Sequence, residues 1–75
     1  MTAKKMFEEL GYKLNEKHKE VVLEYQNYGN GNEILFWSIL KGIAKNAITT
    51  SDVSEVITPL ELKAIQKQIE ELGWK

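Results

Sequence analysis

His18 is the only histidine in the chain, and it sits in the stretch NEKHKE at residues 15–20. A general base needs a pocket and a second group that orients it. A run of charged side chains supplies neither, so His18 reads as part of a solvated loop. Lys13, Lys17, His18 and Lys19 form a small basic cluster, but Glu16 and Glu20 stand among them. The acid pairs Glu8–Glu9 and Glu70–Glu71 are adjacent in sequence, and adjacent positions on a helix point in different directions. They do not converge on a metal ion. Cysteine is absent, which removes thiolate ligands and disulfides together. The glycine-rich GNGN at residues 29–32 lacks the strand-loop-helix context that holds a phosphate, and it reads as a turn. No P-loop, nucleophile elbow or zinc-ligand spacing occurs. No catalytic residue, metal, cofactor or small-molecule ligand is expected, and the protein is not read as an enzyme.

Composition points the same way. The 75 residues suffice for a single domain, 1–75, near the lower size limit for a core without staples. Such a domain relies on packing and helix caps, and often on a partner subunit. Ten lysines stand against eleven acids, arginine is absent and the net charge is −1. Arginine is the usual residue for bidentate contacts to phosphate and guanine, so strong nucleic-acid binding is not expected. The lack of cysteine agrees with a reducing cytoplasm. No secretory leader is expected, because acids rather than an apolar run follow Lys4 and Lys5. The longest apolar stretch, ILFWSIL at 34–40, is too short to span a bilayer, so no membrane partner is expected.

The elements that would position any working surface come next. TPLELKAIQKQIEELGWK begins with Thr58, Pro59 and Glu61, a capping box with proline at the first helical position. Ile57 and Leu62 have the spacing of a hydrophobic staple. Leu62, Ile65, Ile69 and Leu72 recur on one stripe with Ala64 alongside, which predicts a helix over 59–72. Glu61, Lys63, Lys67, Gln68, Glu70 and Glu71 are expected on its polar side. FEELGY at 7–12 and IEELGW at 69–74 read as one helix terminator used twice. Gly11 and Gly73 take the left-handed stop, and the next aromatic packs back onto Phe7 or Ile69. A short first helix is expected with Thr2 as its N-cap and Ala3, Met6, Phe7 and Leu10 on its apolar side.

The middle, EVVLEYQNYGNGNEILFWSIL, is rich in β-branched and aromatic residues and is broken by an Asn30–Gly31 hairpin signal. A two-residue turn there sets Tyr25 opposite Phe36, Leu23 opposite Ser38 and Val21 opposite Leu40 on one face. Val22 opposite Ile39, Glu24 opposite Trp37 and Gln26 opposite Leu35 form the other. Lys41–Gly42 can turn, and a third strand lies at 43–49 or at 53–57, with a loop at 49–52. The fold expected is α+β: helix, three-stranded antiparallel sheet, helix, both helices on one sheet face. An all-α small bundle is the alternative, because Phe36, Leu40, Ile43 and Ala47 also follow helical spacing, as do Val21, Tyr25 and Tyr28.

With both helices on one face, the other stays wet. Val22, Leu35, Trp37 and Ile39 would then form an exposed apolar patch, unless residues 49–56 fold over it or the register slips by one. This patch suggests a non-enzymatic protein-binding or self-assembly module, its partner a protein or a second copy. The alternative is a weak nucleic-acid-binding accessory protein, with Lys13, Lys17, Lys19, Lys41 and Lys45 on phosphates and Tyr28 stacking on a base.

The two ends, AKKMFEELGY at 3–12 and ELKAIQKQIEELGW at 61–74, resemble small uncharacterised proteins of phages and prophages of Gram-positive bacteria. The resemblance implies a helix, a small antiparallel sheet and a second helix, in a bacterial cytoplasm. It carries no catalytic or binding residues with it.

Overall fold

Thr2 begins the first helix by accepting a hydrogen bond from the Lys5 N–H, and α1 runs over Ala3–Glu9. The structure is a computed structural model and describes residues 1–48 and 56–74. Four strands follow: β1 (Lys13–Asn15), β2 (Val22–Asn27), β3 (Asn32–Trp37) and β4 (Gly42–Ala47). They form one antiparallel sheet in the order β1-β2-β3-β4, and α2 (Pro59–Leu72) closes the chain. The fold is α+β, and the helical alternative for the middle does not occur.

Both helices stop as their sequences require. Gly11 and Gly73 have φ of 93° and 75°, in the left-handed region. Tyr12 N–H donates to the Phe7 carbonyl and Trp74 N–H to the Ile69 carbonyl, while Gly11 and Gly73 bond one step inside. The Phe7 and Tyr12 rings meet edge to face, 5.7 Å apart. At the start of α2, Thr58 Oγ1 and Glu61 bond each other's backbone N–H in a complete capping box.

Among the described residues the sheet has four strands where three were expected. The addition is β1, a three-residue edge strand with the sequence KLN, too short and too polar to show a period. The third strand proposed at 43–49 is β4; its rival at 53–57 and the loop at 49–52 lie, apart from 56–57, outside the described residues. The hairpin register also differs. Asn27 pairs with Asn32 across a four-residue loop, 28–31, so Tyr25 faces Ile34 and Leu23 faces Phe36. Asn27 is the reason. Its Oδ1 accepts from Gly29 and Asn30 N–H, its Nδ2 donates to the Leu10 carbonyl, and its own carbonyl accepts from Gly31 N–H. A shift of two residues preserves the alternation, so the predicted faces survive.

On the helix side, Leu23 and Tyr25 of β2, Ile34 and Phe36 of β3 and Leu14 of β1 stand beneath α1 and α2. Phe7 stacks on Tyr25 at 4.0 Å and meets Phe36 edge to face, while Trp74 tilts over Phe36. The apolar stripe of α2 is rotated from its expected position. Ala64 and Ile65 are buried, but so are Glu61 and Gln68, whereas Leu62 is about half exposed. The two polar residues go inside because two tyrosine hydroxyls wait for them: Tyr25 donates to Gln68 and Tyr12 to Glu61. Ala3 N–H donates to Glu71 at 2.7 Å and ties the start of α1 to the end of α2.

Candidate interaction surface

The four residues proposed as a patch separate into two groups. Val22 and Leu35 lie on the face away from the helices, yet they are only 5% and 8% exposed. They are not the open surface the sequence suggested. Val22 is the direct cross-strand partner of Trp37, and Leu35 stands between Glu24 of β2 and Ala44 of β4. The chain segment considered as a cover for this face, residues 49–56, lies apart from Val56 outside the described residues. Trp37 and Ile39 remain exposed, at 37% and 85%.

Ile39 is not in a strand. It lies with Ser38, Leu40 and Lys41 in the turn between β3 and β4, where Lys41 takes a φ of 50°. Leu40 is 79% exposed beside it. Ser38 N–H donates to the Val21 carbonyl, which sets this turn against the start of β2. Val21, Trp37, Ile39, Leu40 and Ile43 therefore lie at one end of the sheet, all of them exposed, with Trp37 on the face away from the helices and Ile43, opposite Phe36, on the helix face. Sequence reasoning extended the strands through residues 39 and 40 because they are apolar. The turn expected at Lys41–Gly42 instead occupies residues 38–41, and Gly42 already begins β4.

The loop at 16–21 ends at the same place. The His18 carbonyl accepts from Val21 and Val22 N–H, and Glu16, Lys17, His18, Lys19 and Glu20 are all exposed, as a solvated loop should be. The apolar end thus has a rim that carries both signs of charge.

The residues suggested for nucleic-acid binding are split: Lys17, Lys19 and Lys41 are at the apolar end among Glu16 and Glu20, away from the other three. Tyr28 and Lys13 lie at the opposite end of the sheet, with the 28–31 loop and the Lys13–Gln26 pair. Lys45 is not free for phosphate. Its side chain is 6% exposed, and Nζ donates to Glu61 Oε1 at 2.7 Å and to the Val56 carbonyl.

Lys45, Glu61 and Tyr12 form a buried polar centre. Burial alone would raise the Glu61 pKa. The Lys45 ammonium, the Thr58 N–H and the Tyr12 hydroxyl outweigh it and hold the carboxyl below its ordinary value. Burial chiefly, then the bond to Glu61 and its charge, push the Tyr12 hydroxyl upward. Burial likewise raises Tyr25, with help from Glu71, Glu16 and Glu8, to about 12. Each group is satisfied by another, and among the described residues no buried side-chain polar atom lacks a partner. This is the arrangement of a structural tie rather than of groups poised to exchange protons with a substrate.

A groove of about 290 Å³ between the helices is lined by Met1, Met6, Leu10 and Leu60, with Glu9 and Lys63 at its rim. Among the described residues no group of three or more His, Cys, Asp or Glu could hold a metal ion, and no helix is long and apolar enough to cross a membrane. No known protein family, curated protein or solved structure matches the chain.

Proposed function

We propose that the protein is a non-enzymatic protein-binding or self-assembly module that works by burying the apolar end of its sheet. The observation that carries this reading is the β3–β4 turn, whose two large apolar residues, Ile39 and Leu40, face water directly after Trp37, at the end of the sheet where Val21 and Ile43 are also exposed. Scattered apolar residues on a surface are ordinary, but a contiguous group that includes tryptophan is the composition of an interface core. The resemblance of the two chain ends to small phage and prophage proteins suggests a setting, a mobile element in a Gram-positive cytoplasm, and so a host or phage protein or a second copy as partner.

The test compares wild type with Ile39→Ser/Leu40→Ser. Both residues are so exposed that the variant should keep its far-ultraviolet circular dichroism and thermal midpoint. Wild type, immobilised in a Gram-positive lysate or sedimented as purified protein, should form complexes that the variant loses. Identical capture and identical sedimentation of the two proteins would refute the reading.

A further inference from the structure

We infer that the occupant of the apolar end is a second copy of this chain, in a two-fold contact; this rests on the reading of that end as a protein interface. The choice of partner comes from the rim. Lys17, Lys19 and Lys41 stand there with Glu16 and Glu20, all exposed. A nucleic acid or an anionic lipid surface selects clustered positive charge, on the order of four to eight basic residues without acids between them. A strongly charged protein partner would select one sign as well. A near-neutral rim carrying both signs complements a surface built in the same way, and a two-fold contact supplies one: residue i of the first copy meets j of the second, and j meets i. A net charge of −1 adds no long-range repulsion between copies. The need is also present, because a 75-residue chain without cysteine has a small core and gains from burying Trp37, Ile39 and Leu40 against another subunit.

The experiment uses the full chain, with sedimentation velocity across a wide concentration range. Wild type should pass from monomer to dimer. Ile39→Ser/Leu40→Ser should weaken dimerisation by about thirtyfold or more, the loss expected when interface anchors are removed. Charge swaps supply the specific test. Lys17→Glu/Lys19→Glu makes the 16–20 loop wholly acidic apart from His18, and Glu16→Lys/Glu20→Lys makes it wholly basic. Each variant alone should dimerise less than wild type, and an equimolar mixture should form a heterodimer. A mixture no more associated than its components would overturn the two-fold contact. Two further outcomes overturn it and separate it from the wider reading. If wild type stays monomeric while the tip variant still loses a captured protein, only the second copy is wrong. If the monomer binds phosphatidylglycerol vesicles through the tip and captures no protein, the occupant is lipid and both readings fall.

Discussion

Glu61 holds three partners with one carboxylate. Oε2 accepts from the Tyr12 hydroxyl at 2.8 Å, and Oε1 accepts from Lys45 at 2.7 Å and from the Thr58 N–H at 3.1 Å. One side chain therefore joins the start of α2, the edge strand β4 and the junction of α1 with β1. Glu61→Gln leaves the Lys45 ammonium buried without a counter-charge, and breaking such a pair costs about 3–5 kcal/mol. That is a large part of the stability of a domain this size, so equilibrium denaturation should show a much lower midpoint. The sign of the pH dependence follows from the lowered carboxyl pKa. The unfolded chain binds the proton more readily, so the stabilisation is present above the ordinary glutamate value of about 4.3 and is lost as pH falls through the lower folded value. Wild type should lose stability in acid more steeply than Glu61→Gln, and equal slopes would contradict the tie. Half of this was legible in the sequence. Thr58, Pro59 and Glu61 announce a capping box, because its partners are local. Nothing in the text says that Glu61 turns inward, because the groups that draw it come from residues 12 and 45.

At the scale of elements, the two helix stops are alike in backbone and differ in surroundings. A side chain at Gly73 would meet nothing within 4 Å, whereas a Cβ at Gly11 would come within 2.9 Å of Asn27 Nδ2. Gly73→Ala should cost only the strain of a left-handed residue, about 1–2 kcal/mol. Gly11→Ala carries the same strain and also displaces the amide that bonds Leu10 and shapes the 28–31 loop, so its loss should be clearly larger. Thermal or chemical denaturation of the two variants checks the order, and equal losses would mean that Asn27 yields freely. The terminators were readable because their bonds span five residues of chain. The hairpin register was not, because Asn27 answers to a carbonyl on the first helix as well as to its own loop.

Over the whole molecule, the helices cover one sheet face and the strand alternation does the rest. The expected patch moved from the face of the sheet to its end. Trp37 and Ile39 are the residues common to both. Trp37→Ala should leave a folded monomer with a loss below the roughly 3–5 kcal/mol typical of core aromatics, because the residue is already 37% exposed. Association should fall with it. Circular dichroism with a thermal melt separates this from collapse of the fold, and a chain that unfolds outright would show Trp37 to be core.

The sequence alone determined the two helices with their caps and stops and, once the middle is extended, the inside and outside of the hairpin, since each depends on bonds or periodicities within a few residues; it favoured the α+β class but left an all-α bundle open. Tertiary structure decided the register, the fourth strand, the burial of Glu61, Gln68 and Lys45, and the end of the sheet at which apolar residues meet water. Those outcomes arise where segments far apart in the chain compete for the same hydrogen bonds and the same dry volume. A local pattern carries no record of who the competitor is.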